Sequence, residues 1–292
     1  MLTQSVPLAE FVRFFTHDGA MLHGLLWKPT QQTSTLALYV PGLTGTFASP
    51  QEMNGFVAPI LAANHAALAI NLRIAGPPGL AFSRFEDCIA DIGAAVQLGE
   101  SRGYKRIILV GDSLGGCRCT YYWHQARPEA VSALVLLASI PSPLLEARER
   151  WSASEVARFD QHLANARRLI AEGNGQDLIK FAEFQPGRDI SLSATTWVNT
   201  FGTLSESNAS TVKFLPEVNI PILVVHGSRD LIALPCNAEV LLAACTSAPR
   251  KELIWADAGH FFTTTEDAGR YGAPIAAWIS AVVSQSGTIH RL

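Results

Sequence analysis

Ser113 stands at the centre of a short motif, Gly111-Asp112-Ser113-Leu114-Gly115, whose residue types suit a nucleophilic serine. The apolar run 107–110 precedes the motif, and residues 117–125 follow it without glycine or proline. Gly-x-Ser-x-Gly between a strand and a helix is typical of a nucleophile elbow. The turn brings backbone against backbone, so the flanking positions must be small, and the serine must accept a strained conformation. Ser113 is therefore the predicted nucleophile.

A serine hydroxyl needs a general base to take its proton, and the base needs an anion that holds it in the right tautomer. Two later loops supply such groups, each after an apolar run: His226-Gly227-Ser228-Arg229-Asp230 and Asp257-Ala258-Gly259-His260. We predict the order Ser113, Asp230, His260. Asp257 is the competing acid, and Asp230 is favoured because the acid must approach the imidazole from a separate, neighbouring loop. We interpret His226 as a residue that shapes its loop.

The elements that must position these residues alternate between strand and helix. The predicted strands are 10–16, 20–28, 36–40, 66–72, 106–110, 131–138, 220–225 and 251–255, and the predicted helices are 52–64, 85–99, 117–125, 235–245 and 266–283. Asp18-Gly19 is a tight-turn signal that joins the first two strands into an antiparallel hairpin. The alternation predicts an α/β fold with a mainly parallel sheet covered on both faces.

Between residues 141 and 217 the strand pattern stops and a helical pattern takes its place. One apolar helical face is formed by Val156, Phe159, Leu163, Ala166 and Ile170. We therefore expect a helical cap, residues 141–217, inserted into a core domain made of residues 1–140 and 218–292. Trp151 and Trp197 are predicted to line an apolar cleft between this cap and Ser113.

Taken together, the hairpin, the Gly-x-Ser-x-Gly elbow, the insertion, the His-Gly-x-x-Asp loop and the Gly-His loop resemble the α/β-hydrolase superfamily over nearly the whole chain. The resemblance implies an α/β-hydrolase fold in which Ser113 is the nucleophile, Asp230 the acid and His260 the base. It also implies an oxyanion hole made by the backbone N–H groups of Leu114 and Leu43. The position of Leu114 has a physical reason of its own, since the positive end of a helix there would face a developing alkoxide.

The sequence departs from the common superfamily pattern at Pro41, where a histidine usually precedes the oxyanion glycine. Gly-Asp-Ser-Leu is also the signature of the GDSL hydrolases, whose Asp-x-x-His spacing Asp257 and His260 match. In that family, however, the serine block lies near the N-terminus and a Gly-x-Asn-Asp block follows, which this chain lacks. The hormone-sensitive-lipase branch shares Gly-Asp-Ser-x-Gly-Gly, but its His-Gly-Gly-Gly run is missing here.

The composition narrows the class of protein. The chain has 292 residues, 48% of them hydrophobic and 16% charged, which is enough to build a large core, and a net charge of −3 without long basic runs. This pattern argues against nucleic acid or an anionic membrane as partner. Residues 1–10 show no signal-peptide pattern, so a cytoplasmic location is expected. Five scattered cysteines without a Cys-x-x-Cys pair indicate neither a disulfide framework nor a zinc site.

The resulting hypothesis is a serine hydrolase that cleaves a carboxylic ester, lactone or thioester of a small to medium apolar substrate through an acyl-enzyme, without cofactor or metal. An acyltransferase or a C–C bond hydrolase could use the same three residues, and a non-catalytic ligand receptor could keep the fold. A protein that binds partners through its cap is a further class, and it predicts a homodimer. The oligomeric state is left open by the sequence.

Overall fold

Strands that run parallel to one another form the centre of the molecule. The structure is a computed structural model that describes residues 8–47, 50–185, 188–260, 262 and 265–285. The strands are β1 (Glu10–Phe15), β2 (Met21–Trp27), β3 (Thr35–Val40), β4 (Ala66–Ile70), β5 (Arg106–Asp112), β6 (Val131–Leu137), β7 (Leu178–Gln185), β8 (Arg188–Ser193), β9 (Ile222–Gly227) and β10 (Lys251–Ala256). All of them except β7 and β8 belong to one sheet, in the order β1-β2-β4-β3-β5-β6-β9-β10.

The sheet is parallel from β4 to β10, while β1 and β2 form an antiparallel hairpin at one edge and β2 runs antiparallel to β4. The inner strands are fully buried runs such as Thr35-Leu-Ala-Leu-Tyr-Val40 in β3. Such continuous apolar runs are expected where helices cover both faces of a parallel sheet. The predicted α/β fold with an N-terminal hairpin is confirmed.

Helices pack on both faces of the sheet. They are α1 (Pro50–Ala62), α2 (Pro77–Phe82), α3 (Cys88–Ser101), α4 (Leu114–Ala126), α5 (Pro143–Arg150), α6 (Ala153–Ala171), α7 (Ala194–Phe201), α8 (Cys236–Ala244) and α9 (Thr265–Gln285). Phe56 of α1 and Ile279 of α9 belong to one core cluster, and Ile92 of α3 and Leu241 of α8 belong to the other. No helix in the described ranges is long and apolar enough to cross a membrane.

The segment between β6 and β9 contains an antiparallel hairpin as well as helices. In this hairpin β7 pairs with β8, and Phe181 lies opposite Ile190. The hairpin corrects the expectation that this segment is helical throughout. Its strands alternate buried and exposed side chains, with Ile179, Phe181, Ile190 and Leu192 all buried against α6 and α7. The apolar cluster of this segment also receives Leu43 from the loop after β3, which ties the segment to the core.

Candidate active site

Ser113 occupies the single residue between the end of β5 and the start of α4. Its backbone has φ 51° and ψ −120°, a left-handed region that costs a residue with a Cβ on the order of 1–3 kcal/mol. Two hydrogen bonds stabilise this strained backbone conformation. Ser113 N donates to Leu137 O at 2.8 Å, and Ser139 Oγ donates to Ser113 O at 3.0 Å. The predicted elbow therefore has the backbone geometry that exposes a side chain at the end of a strand.

The glycines around Ser113 are required by close backbone contacts. A Cβ on Gly111 would lie 2.5 Å from Gly115 O, and a Cβ on Gly115 would lie 2.2 Å from Val40 O. A Cβ on Gly116 would lie 2.0 Å from Ser139 Oγ. Real Cβ atoms do not come this close to other atoms, so β5, α4 and the end of β3 can pack together only through glycine.

The loop after β3 lies directly against the elbow. A Cβ on Gly42 would be 3.1 Å from Ser113 Cβ, and the next residue is Leu43. Arg118, on the first turns of α4, fixes this loop because its Nη1 donates to Pro41 O at 3.0 Å and to Gly42 O at 2.9 Å. Arg118 is fully enclosed, and this burial lowers its pKa. No sequence motif predicts a role for Arg118, although a single arginine among the mostly apolar residues 114–123 was a usable signal.

Asp230 and His260 follow the last two strands of the sheet that carries the elbow. Asp230 comes after β9 and His260 after β10, and β5, β6, β9 and β10 run parallel in that order. Since all these strands point the same way, their carboxyl ends lie at one edge of the sheet. At this edge, a hydrogen bond from Ala138 N to Val225 O, 2.8 Å long, links the ends of β6 and β9.

The structure joins Asp230 and His260 directly. Asp230 Oδ2 is 2.8 Å from His260 Nδ1, and both side chains are buried. The competing carboxylate, Asp257, has a side chain that is 66% exposed and forms an ion pair with Arg229, with Nε 2.8 Å from Oδ1. Asp230 rather than Asp257 therefore holds the position at Nδ1 of this histidine.

His226 lies beneath the Asp230 loop and supports it. Its Nε2 is 2.9 Å from Ala233 O and 3.8 Å from Asp230 Oδ2, and its side chain has no measurable exposure. Burial lowers the pKa of His226, which favours the neutral ring, and Nε2 is the donor because its partner, the carbonyl oxygen of Ala233, can only accept. Among the described residues, its Nδ1 has no hydrogen-bond partner. This placement agrees with the interpretation of His226 as a residue that shapes its loop.

A cavity opens beside Ser113. Leu114 and Leu43 also line it, so the structure brings the predicted nucleophile and the two predicted oxyanion donors to one space. Trp151 is one of the residues that line the cavity. Trp197 is a correction: it has no exposure, packs among the aromatic residues around α6 and α7, and lies outside this lining. Trp197 is thus part of the interior of the inserted segment.

Two charged side chains of α5 that the sequence analysis did not single out also line this cavity. Glu146 and Arg150 lie four residues apart, on the same face of the helix. Burial raises the pKa of Glu146 and lowers the pKa of Arg150. The remaining lining is mostly apolar, with Ile140, Phe201 and Ile232 among its members.

Comparisons with known proteins agree with this architecture. A family model described as serine aminopeptidase, S33 matches residues 75–266, which is more than half of the chain. A search of curated proteins found no match.

Among solved structures, the esterase domain of a Rhodothermus marinus protein has a TM-score of 0.66 at 17% identity, covering 94% of this chain and 98% of that one. Est1E from Butyrivibrio proteoclasticus with bound ferulic acid has a TM-score of 0.67 at 16% identity, covering 94% of this chain and 100% of that one. DcsB in complex with its substrate analogue has a TM-score of 0.69 at 16% identity, covering 95% of this chain and 99% of that one. At these identities the likeness concerns the fold.

Proposed function

The chain belongs to the serine aminopeptidase S33 family of α/β-hydrolases, and from this premise we propose that it is a serine hydrolase acting on a carboxylic ester through an acyl-enzyme. In this proposal Ser113 is the nucleophile, His260 the general base and Asp230 the orienting acid. The observation that carries the proposal is the 2.8 Å contact between Asp230 Oδ2 and His260 Nδ1, at the same sheet edge as the strained Ser113.

Asp230 Oδ2 accepts a hydrogen bond from the Nδ1–H of His260, which leaves Nε2 as the basic nitrogen. Nε2 takes the proton from Ser113 Oγ as the oxygen attacks the ester carbonyl. The negative charge that forms on the carbonyl oxygen is bound by the N–H groups of Leu114 and Leu43, where one donor is worth roughly 3–4 kcal/mol in the transition state.

Collapse of the tetrahedral intermediate breaks the bond to the alcohol oxygen, and His260 returns the proton to that leaving group. The acyl group then remains on Ser113 Oγ. A water molecule, deprotonated by His260, attacks the acyl carbonyl in the same way and releases the carboxylic acid and the free serine. No cofactor enters these steps.

The lining of the cavity favours an apolar acyl group of small to medium size. Apolar side chains such as Ile140, Trp151 and Phe201 make up most of its lining. A neutral apolar acyl chain would gain favourable burial there, whereas a charged chain would lose hydration.

The test is turnover of p-nitrophenyl acetate, butyrate, octanoate and palmitate, with Ser113→Ala as control and an aminoacyl p-nitroanilide as a competing substrate class. We expect a maximum at the short or medium acyl chains, and covalent labelling of Ser113 by a fluorophosphonate. Faster cleavage of the anilide than of every ester would replace the ester assignment with a peptidase. Absence of both turnover and labelling would favour a ligand receptor on this fold.

A further inference from the structure

The carboxylate of Asp230 is held by the turn that follows it. Asp230 Oδ1 accepts hydrogen bonds from the backbone N–H groups of Ile232 and Ala233, each at 2.8 Å. This leaves Oδ2 for His260 Nδ1. The position of the carboxylate therefore depends on where the backbone of residues 232–234 lies, and anything that anchors this turn also anchors Asp230.

Helix α5 of the inserted segment anchors that turn from outside. Glu146 Oε1 accepts from Leu234 N at 3.1 Å, and Glu146 Oε2 accepts from Asn237 Nδ2 at 2.5 Å. One turn further along the helix, Arg150 Nη1 donates to Ile232 O at 3.0 Å. Three hydrogen bonds from one helix thus hold residues 232–237, which lead from the Asp230 turn into α8.

The burial of Glu146 makes this contact specific. The residue is 5% exposed and Asn237 is 3% exposed, so each polar atom that loses its partner would be left inside the protein without water. A buried carboxylate is stable only when donors satisfy it, and Glu146 has two of them on one short segment. A glutamate at this position therefore holds the turn in one place more firmly than an apolar residue could.

We propose that Glu146 is a positioning residue, which acts through Leu234 and Asn237 to keep the Asp230 carboxylate on His260. This inference rests on the proposed function, because it assigns Asp230 the orienting role. It also means that α5 contributes to two parts of the site at once, since Glu146 lines the Ser113 cavity as well as anchoring the acid turn.

Glu146→Ala removes both acceptors and lets the turn shift. Displacements of about 1 Å in a catalytic group can cost on the order of 100-fold, so we expect kcat to fall about 10- to 100-fold while KM stays within about twofold. Glu146→Gln should keep most of the activity, because its oxygen still accepts from Leu234 N and the Asn237 amide can turn to accept from its nitrogen. Glu149→Ala, on the exposed side of the same helix, is the matched control.

The decisive measurement repeats Glu146→Ala in an Asp230→Asn background and compares rates of Ser113 labelling by a fluorophosphonate. If Glu146 acts through Asp230, the effect of Glu146→Ala disappears when Asp230 is already replaced. An equal loss in both backgrounds would overturn the proposal, because a substrate contact or general damage to the fold would persist. A change in KM alone, or a kcat that stays at the Glu149→Ala level, would also overturn it.

The proton NMR signal of His260 Nδ1–H gives a readout that needs no turnover. We expect a strongly downfield resonance in the unmodified protein and in Glu149→Ala, and a broadened or missing one in Glu146→Ala. Failure of ester turnover with this pattern intact would refute the proposed function but keep the role of Glu146. Should Glu146→Ala not fold, Asn237→Ala removes one of the two donors, and a smaller loss of the same kind is then expected; an unchanged resonance and kcat would refute the role.

Discussion

Replacing Asp230 by asparagine tests the acid–base pair at one atom. The amide oxygen can keep the bonds from Ile232 N and Ala233 N, which fixes the amide nitrogen where Oδ2 now meets His260 Nδ1 at 2.8 Å. Two donors cannot face each other, so His260 must take the tautomer that carries its proton on Nε2. That tautomer cannot accept the proton of Ser113, and we expect kcat to fall by roughly 10⁴.

Asp257→Asn is the control, because Asp257 lies near His260 in sequence but holds an exposed ion pair with Arg229. Exposed pairs contribute about 0.2–1 kcal/mol to stability, so loss of this one should disturb the His260 loop little, and we expect turnover to change by at most about fivefold. Both variants should be assayed on one p-nitrophenyl ester, with thermal unfolding to confirm that each is folded. The reverse ranking, or an Asp230→Asn variant within tenfold of the unmodified enzyme, would refute the assignment of Asp230.

Three further predictions follow from the same geometry. Ser113→Ala should lower ester turnover by up to roughly 10⁶ without loss of the folded state, and a variant that keeps a tenth of the rate would contradict the nucleophile assignment. Gly115→Ala should lower the free energy of unfolding in urea by about 3 kcal/mol or more, because its Cβ would lie 2.2 Å from Val40 O. Gly93→Ala should be neutral or stabilising, because the nearest atom to its Cβ, Tyr122 Cε2, would be at an ordinary contact distance of 3.6 Å. Equal effects of the two substitutions would refute the steric argument. Burial lowers the pKa of His226 below its usual value of 6.5, so below about that pH the unfolded chain binds more protons than the folded protein does. Tm should therefore drop as the pH is lowered from 7 to below 6, and the drop should be less steep in His226→Asn.

The core of the fold could be read from the sequence because its signals are local. Each inner strand of the parallel sheet is a short and mostly apolar run, and the apolar residues of α3 recur at helical spacing. The elbow could be predicted for the same reason: the glycines at 111 and 115 are required by contacts between elements that adjoin the motif. The placement of Asp230 followed from the rule that loops after parallel strands meet at one edge of the sheet.

The helical pattern predicted for residues 141–217 does not extend over the hairpin of β7 and β8. The period-two alternation of Ile179 and Phe181, and the Pro186-Gly187 turn signal in the sequence, favoured strands instead. Trp197 was misplaced because a large apolar residue fits the interior of the segment as well as a cleft.

The anchoring role of Glu146 could not have been found from the sequence. From sequence alone, a glutamate on a short amphipathic helix is expected on the solvated face of that helix. The hydrogen-bond partners of Glu146 lie 88 and 91 residues away along the chain. Only the folded chain shows that this carboxylate is buried against the acid turn. Arg118 is similar, since the carbonyls it binds are 76 and 77 residues away.

The contact between Arg118 and Gly42 O also has an electronic consequence. The carbonyl of Gly42 and the N–H of Leu43 belong to one peptide group, so a buried guanidinium at 2.9 Å from that oxygen draws electron density away from the nitrogen. The N–H becomes a stronger donor, as in any chain of hydrogen bonds, by something like 10–30% per bond. In the proposed oxyanion hole, Arg118 thus stabilises the negative charge on the substrate oxygen by polarising the peptide group between them. It does so without being one of the residues that line the cavity.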